Sequence, residues 1–220
     1  MSLKRILEPE VMDSVEEARD YDQMDHAEVN EVFVSDLLAS GDIEGEILDL
    51  GTGTAQIPVA LCQRHEPCRV VAVDLAVHML DLAVYQLEVH GLTERIMLDH
   101  IDAKSLPYDS DRFDVVISNS IVHHIPEPLS VLSEAIRVAR VGGRLFFRDL
   151  LRPASEDVVQ QLVSTYAGDA NDHQRQMFDD SLRAALNLDE IRSLITGLGH
   201  DPAEVQATSD RHWTWSATKT

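Results

Sequence analysis

The stretch EILDLGTGTAQI, residues 46–57, decides the fold of this 220-residue chain. Its first five residues are typical of a short buried strand, and the residues from Gln56 onward are typical of a helix. The turn between them contains Gly51 and Gly53, which lack a Cβ and therefore let a ligand approach the backbone closely. In open parallel sheets such a turn lies at the carboxyl edge, where ligands bind. Asp49 adds a negative charge there, which favours a cationic ligand group over a phosphate.

Strands and helices alternate from residue 46 to residue 149. Short runs rich in Val and Ile predict five buried parallel strands, at residues 47–50, 70–73, 96–101, 113–117 and 145–147. The segments between them repeat apolar residues at helical spacing. A further helix over 188–198 and a hairpin over 205–217, with Trp213 and Trp215 on one face, complete the pattern. These elements predict an α/β fold, with a mostly parallel sheet and helices on both faces.

The two remaining parts of the chain differ from this alternating pattern. Residues 1–45 are predicted to form an N-terminal helical cap whose apolar stripe contains Val29, Val32, Phe33 and Leu37. Residues 46–220 are predicted to form the main domain. Within it, residues 152–187 form an insertion, which is polar, is broken by Pro153 and Gly168, and ends in a helix over 179–186.

Net charge limits the partners that this chain can have. The sequence has 18 basic and 39 acidic residues, a formal net charge of −21. Because nucleic acids and anionic membranes are bound through Lys and Arg, we expect neither nucleic acid nor a stable membrane association. Thirteen acids and three bases fall in residues 1–45. They form either a solvated helix face or a lid that attracts a cationic ligand.

The sequence contains neither a signal peptide nor an apolar run of the roughly 18 residues that span a membrane. We therefore expect a cytoplasmic protein. Cys62, His65 and Cys68 form a Cys-x-x-His-x-x-Cys pattern that resembles half of a metal site. No second cluster completes the four ligands of a zinc site, so we expect two ordinary thiols and no metal.

The turn at residues 49–55 resembles the first motif of class I S-adenosylmethionine-dependent methyltransferases, an acid followed by Gly-x-Gly-x-Gly, with Ala55 in place of the third glycine. A dinucleotide-binding turn requires glycine where this chain has Gln56. The later motifs are similar to those of the type 11 group, which includes the ubiquinone/menaquinone-biosynthesis methyltransferases. The resemblance implies a three-layer, Rossmann-like sheet of seven strands whose last strand is antiparallel, and S-adenosyl-L-methionine as cofactor.

The cofactor positions follow from these motifs. Asp74 closes the second strand 21 residues after Gly53 (74 − 53), where an acid of this family binds the ribose hydroxyls; an Asp there also suits a helix N-cap. The resemblance places Asp102 at the adenine amino group, or in a plain turn, and Asn119 beside the methionine end. The expected cofactor-binding residues are Asp49, Gly51, Thr52, Gly53, Asp74, Leu75, Met79, Asp102, Ala103 and Asn119.

The acceptor side is less constrained by sequence. Tyr21, His123 and Arg148 are candidate substrate-binding residues, and His123, Tyr21 and Asp149 are candidate catalytic residues. A general base is needed only if the acceptor carries a proton, and His suits that role near neutral pH. Each candidate has a structural alternative: a packing or capping histidine at 123, a surface tyrosine at 21, and an ion pair at 148–149.

The expected activity is methyl transfer to a small-molecule acceptor by in-line displacement at the sulfonium methyl, with S-adenosyl-L-homocysteine as product. Two alternatives stay open: a non-catalytic protein that binds this cofactor or its product, and an enzyme that uses the cofactor for another transfer. A nicotinamide-dependent dehydrogenase is disfavoured by Gln56 and by the terminal hairpin. We expect a monomer or a homodimer.

Overall fold

The computed structural model describes residues 3–11, 13–24 and 26–220. Its centre is one seven-stranded sheet with the order β3-β2-β1-β4-β5-β7-β6. The strands are β1 Glu46–Leu50, β2 Arg69–Asp74, β3 Ile96–His100, β4 Phe113–Asn119, β5 Ala139–Leu150, β6 Val205–Ala207 and β7 His212–Thr218.

Strands β1 to β5 are parallel, and β7 pairs antiparallel with both β5 and β6. The structure therefore confirms the predicted α/β fold and its antiparallel end. The fifth strand is longer than predicted. Its first residues follow directly after a helix and include Gly142 at a φ of +79°, and the register between β4 and β5 shifts between Phe113 and Val115. Gly142 and Gly143 therefore lie inside this strand.

Eight α-helices flank the sheet or cover its carboxyl edge in the part of the chain that the structure describes. They are α1 Val15–Gln23, α2 Ala27–Ala39, α3 Gln56–Arg64, α4 Val77–His90, α5 Leu129–Val138, α6 Glu156–Tyr166, α7 Asp172–Ala184 and α8 Leu188–Gly197. No helix within these described residues has the length and the apolar character needed to cross a bilayer.

The core has one layer on each face of the sheet. On one face, buried residues of α2, α3 and α4 pack against the strands, with Phe33, Leu37 and Leu61 fully buried. On the other face, α5 and α8 pack together with Trp213 and Trp215, which both point inward from β7. This is the three-layer arrangement that the alternating sequence pattern predicts.

The N-terminal residues are divided between the core and the pocket edge. Helix α2 packs on the main sheet, and its buried residues include Val34, which the predicted stripe lacked, whereas Val32 is half exposed. Residues 3–11 are extended, and Ile6 donates a backbone hydrogen bond to Arg183 at the end of α7. The segment that reaches the carboxyl edge of the sheet is therefore residues 3–24, excluding the undescribed position 12.

The insertion contains two helices where the sequence indicated one. Helix α6 begins after Ser155, and α7 begins after Asn171, whose side chain caps it. Their apolar residues form a small separate core with Leu150 at the end of β5: Val159, Leu162, Leu182 and Ala185. The insertion is thus a packed helix pair over the carboxyl edge of the sheet.

Candidate functional site

A pocket lies at the carboxyl ends of β1 and β4, where the strand order reverses direction. In open α/β sheets this is the position of ligand sites. Four connections following β1, β2, β3 and β4 supply its walls, and the N-terminal segment closes one side. The lining residues are Glu10, Val11, Tyr21, Gly51, Gly53, Asp74, Leu75, Ala76, Met79, Ile101, Asp102, Ala103, Lys104, Asn119, Ser120, Ile121, His124 and Ile125.

Most of the expected cofactor positions meet in this one pocket. Eight of the ten line it, namely Gly51, Gly53, Asp74, Leu75, Met79, Asp102, Ala103 and Asn119. Asp49 and Thr52 are buried next to the lining glycines and do not form the wall. The sequence motifs therefore identify one continuous surface, although they lie more than 60 residues apart in the chain.

Asp74 ties two sides of the pocket together. Its Oδ2 accepts a hydrogen bond from Gly53 N at 2.7 Å, and its Oδ1 accepts one from Ala76 N at 2.8 Å. Burial raises the pKa of this carboxyl, and the backbone N–H groups oppose that shift. Asp74 therefore fixes the glycine turn against the start of α4, and its carboxylate lies on the pocket wall.

Asp49 is a buried carboxylate with no cationic group among the causes of its pKa shift. Burial raises its pKa to about 7, and the charge of Asp74 adds to this shift. Burial, together with the charges of Asp74 and Asp49, also raises the pKa of the Tyr21 hydroxyl to about 12. Tyr21 thus keeps its proton at neutral pH, and this end of the pocket suits a positively charged ligand group.

Asn119 has an unsatisfied atom at the pocket. Its Oδ1 is buried and has no hydrogen-bond partner among the described residues. The next residue, Ser120, adopts a left-handed φ of +60° and donates its N–H to Arg148 O at 2.9 Å. A buried amide oxygen without a partner is costly, so its position on the pocket wall indicates a ligand donor there.

The N-terminal segment reaches across the pocket, and we call residues 3–11 the strap. Lys104 Nζ lies 2.9 Å from Asp102 Oδ1 and also contacts Glu10 of the strap. Arg5 donates hydrogen bonds to the carbonyl oxygens of Ala184, Pro126, His123 and Ile125. The strap is therefore held both by the loop after β4 and by the insertion.

Helix α1 meets the insertion in the same region. His173 Nδ1 of α7 lies 2.5 Å from Asp20 Oδ2, and Gln174 Nε2 donates to Asp20 O at 2.9 Å. His173 therefore links α7 to α1 in a partly exposed pair.

The two adjacent histidines after β4 have different surroundings. His123 is buried, and its Nδ1 lies 2.6 Å from Asp149 Oδ1. Burial disfavours the charged imidazolium, but the Asp149 carboxylate outweighs this and raises the pKa of His123. His124, which the sequence did not select, lines the pocket, and burial together with His123 lowers its pKa to about 3. His124 is therefore neutral at physiological pH.

Arg148, a candidate substrate-binding residue, does not line the pocket. Its Nη2 is 2.6 Å from Asp36 Oδ2 of α2, and its Nε donates to Thr214 Oγ1 at 2.9 Å. The side chain is buried near Phe33 and Phe146, on the α2 face of the sheet. Arg148 and Asp149 are consecutive residues of β5. Consecutive side chains of a strand point to opposite faces of the sheet, so these two point in opposite directions.

The two cysteines of the Cys-x-x-His-x-x-Cys pattern lie next to each other in the structure. Cys62 and Cys68 are buried free thiols with their Sγ atoms 3.2 Å apart. His65 Nε2 lies 2.6 Å from Ile43 O, away from the two sulfurs. This agrees with the expectation of two ordinary thiols.

Part of the chain is similar to a known family. Residues 48–147 match the family model described as a methyltransferase domain. The fold is also similar to those of solved methyltransferases. One from Aquifex aeolicus, described as SAM dependent, superimposes with a TM-score of 0.67 at 17% identity over 94% of this chain and 99% of that chain.

Two relatives with curated names extend this similarity. The methyltransferase GfsG of Streptomyces halstedii is 30% identical over 64% of this chain and 51% of its own length. The 27-O-demethylrifamycin SV methyltransferase of Amycolatopsis mediterranei is 27% identical over 78% of this chain and 58% of its own length. The chain thus spans between half and three fifths of the length of these relatives.

Proposed function

We propose that this protein transfers the methyl group of S-adenosyl-L-methionine to a small-molecule acceptor. The observation that carries the proposal is the convergence of eight motif positions on one pocket at the β1–β4 switch. The named relatives GfsG and the rifamycin enzyme support it, because both are methyltransferases.

The pocket fits this cofactor in four respects. Asp74 lies at the end of β2 for the ribose, and Asp102 lies after β3 for the adenine amino group. Asp49 offers negative charge near the glycine turn, and none of the interactions that set its pKa is cationic. Asn119 Oδ1 lacks a partner among the described residues and suits the methionine ammonium. When bound, the cofactor supplies an electrophilic methyl group on a sulfonium.

The chain's own contribution is positioning. Tyr21 keeps its proton at neutral pH and acts as a hydrogen-bond donor at the pocket wall. His124 holds a proton poorly because its pKa is lowered to about 3, so we assign it no role as a general base. His123 and Asp149 act together inside the protein and hold the loop after β4. Rate acceleration then comes from alignment of the acceptor, which alone can contribute several kcal/mol.

The acceptor enters, in this proposal, beneath the strap and the α6–α7 insertion. We take residues 3–24 with α6 and α7 as the cap, and α2 as part of the main domain. We also propose a cytoplasmic location. The proposed assembly is a monomer or a homodimer. The acceptor's chemistry stays open, since fold and cofactor site do not determine it.

A second candidate is binding of the cofactor without methyl transfer. The [4+2]-cyclase SpnF has the same fold, with a TM-score of 0.61 at 14% identity over 86% of this chain and 81% of that chain. The pocket wall also offers no histidine with a pKa near neutrality among the described residues, which suits a protein that performs no proton transfer.

The test is incubation with methyl-labelled S-adenosyl-L-methionine and a panel of phenols, sugar hydroxyls, quinols and amines, with S-adenosyl-L-homocysteine formation as the readout. Acceptor-dependent product that disappears in Asp74→Ala supports methyl transfer. Tight cofactor binding with no turnover across the panel contradicts it and favours the second candidate.

A further inference from the structure

Three side-chain atoms that could bind a metal ion lie close together beneath the strap. One belongs to Glu8 of the strap, and the other two belong to the adjacent histidines after β4. Glu8 Oε1 lies 3.1 Å from His124 Nδ1 and 3.4 Å from His123 Nε2. All three atoms lie within 4.8 Å of one another, and Glu8 and both histidines are largely shielded from solvent. Within the described parts of the chain, no other group of three such side chains meets this criterion.

Two of these atoms face each other without a hydrogen bond. Glu8 Oε1 and His124 Nδ1 are buried, yet neither atom makes a hydrogen bond within the described residues, despite their short separation. His124 has a hydrogen bond with the backbone of Pro9, and it is neutral at physiological pH. Buried lone pairs that point at each other are unfavourable unless a proton or a metal cation lies between them.

The spacing suits a tetrahedral metal ion. Zinc binds imidazole nitrogen and carboxylate oxygen at about 2.0–2.2 Å, so neighbouring ligand atoms in a tetrahedron lie about 3.3 Å apart. The two shorter separations here are 3.1 and 3.4 Å. Two imidazoles and one carboxylate favour zinc over Mg²⁺ or Ca²⁺, which prefer oxygen ligands.

The surrounding residues hold the donors in place. Asp149 Oδ1 lies 2.6 Å from His123 Nδ1, and Asp149 Oδ2 accepts the N–H groups of Val122 and His123. A histidine that ligates zinc commonly gives its other ring N–H to a carboxylate, as here. Ser181 Oγ of α7 donates to Glu8 Oε2 at 3.2 Å, which leaves Oε1 directed at the histidines.

We propose that Glu8, His123 and His124 form a binding site for a divalent zinc-type cation, with Asp149 as the residue that positions His123. The site departs from the sequence-based expectation of no metal. Because Glu8 belongs to the strap and both histidines follow β4, the bound cation clamps the strap over the pocket. His124 also lines the pocket, so the fourth ligand position lies near the proposed acceptor site. The proposal does not depend on methyl transfer.

The test is calorimetric titration of the full, metal-stripped protein with Zn²⁺, without cofactor or acceptor. The expected result is one tight site per chain. Glu8→Gln and His124→Gln should each weaken binding by more than about 100-fold, and Asp149→Asn by about 10- to 100-fold. Circular dichroism checks that each variant is folded. Because Glu8 lies in the strap and not in the core, Glu8→Gln is the substitution that should disturb folding least.

Two controls locate the site. His173→Gln removes another histidine–carboxylate pair of the same cap, and Cys68→Ser removes one of the two paired thiols. Neither should change the Zn²⁺ affinity. Hydrogen exchange of residues 3–11 should slow when Zn²⁺ is added to the wild type and stay unchanged in Glu8→Gln. Absence of a one-to-one site, tight binding that survives both ligand substitutions, or binding lost in Cys68→Ser would overturn the proposal.

Discussion

Asp49 is a buried carboxylate whose pKa lies near neutrality. Its pKa is raised to about 7 by burial, from an ordinary value of 3.8, so the folded protein holds a proton there below pH 7. The folded state binds more protons than the unfolded state between these values, so this group lowers stability as pH rises from about 4 to about 7. A cationic ligand group favours the ionised carboxylate and therefore releases the proton.

We predict that S-adenosyl-L-methionine binds less tightly as pH falls from about 8 to about 5.5, and that binding near pH 6 releases a proton, because the bound cation favours ionised Asp49. Calorimetry in two buffers with different ionisation enthalpies measures this release. Asp49→Asn should bind more weakly and release no proton. Proton release that persists in Asp49→Asn would assign the effect to another group.

A second prediction concerns Asp74. Asp74→Ala should weaken S-adenosyl-L-homocysteine binding by roughly 1.5–3 kcal/mol, the usual loss for hydrogen bonds to a charged group. Because Asp74 also holds Gly53 N and Ala76 N, part of the loss comes from a looser turn. Asp81→Ala, on the exposed side of α4, is the matched control and should bind normally. Equal affinity of the two variants would remove Asp74 from the ligand site.

At the scale of elements, the turn between β1 and α3 combines two constraints at Gly51. Gly51 has a φ of +70°, and a Cβ there would lie 2.7–2.9 Å from side-chain atoms of Ile121. Gly91, at the end of α4, has a φ of +66°, and a Cβ at that position would have no neighbour within 4 Å among the described residues. Both glycines have a left-handed backbone conformation, but a Cβ would collide with a neighbouring side chain only at Gly51.

We predict that Gly91→Ala costs about 1–2 kcal/mol of unfolding free energy, since only the left-handed backbone is penalised. Gly51→Ala should cost roughly 1–3 kcal/mol more, because Ile121 must also move. Denaturant unfolding of both variants measures the difference. Equal losses of unfolding free energy in the two variants would show that Ile121 moves aside at no energetic cost.

The strap is the element that we expect to respond to ligand. Closure of such a segment over a pocket excludes water and aligns the acceptor. We predict that S-adenosyl-L-homocysteine slows hydrogen exchange in residues 3–11 and 13–24. Arg5→Ala should speed exchange there, because four carbonyl oxygens lose their donor, whereas Lys4→Ala, at an exposed neighbour, should not. Equal exchange with and without ligand would make the strap a fixed part of the fold.

The sequence predicted the parts of the site that lie at strand ends. Asp74, Asp102 and Asn119 each follow an apolar run, and the topology brings those ends together. It did not predict Glu10, Lys104 or His124, because their place in the pocket depends on where the strap crosses the sheet edge. The spacing of apolar residues along the chain does not predict where the strap crosses the sheet.

Helix α6 was also missed, although its residues Val158, Val159, Leu162 and Val163 have helical spacing. Polar residues on either side, together with Pro153 and Gly168, concealed that short stripe. Arg148 lies outside the pocket for a different reason. Neighbouring residues of a strand face opposite sides, and only the full register places 149 towards the histidines and 148 towards α2.

As a whole, the molecule is a seven-stranded α/β domain whose pocket at the β1–β4 switch is bordered by the strap, α1 and the α6–α7 insertion. The charge pattern agrees with a cationic ligand. Asp49 and Asp74 both act on the pKa of Tyr21, and both carboxyl pKa values are raised by burial. A dinucleotide would bring pyrophosphate to this acidic turn, which is unfavourable.

Calorimetric titration of the wild-type protein with S-adenosyl-L-homocysteine and, in parallel, with NAD shows most directly which cofactor the pocket binds. We predict saturable one-to-one binding of S-adenosyl-L-homocysteine and no measurable binding of NAD. Binding of NAD, or failure to bind S-adenosyl-L-homocysteine in a folded sample, would contradict this prediction.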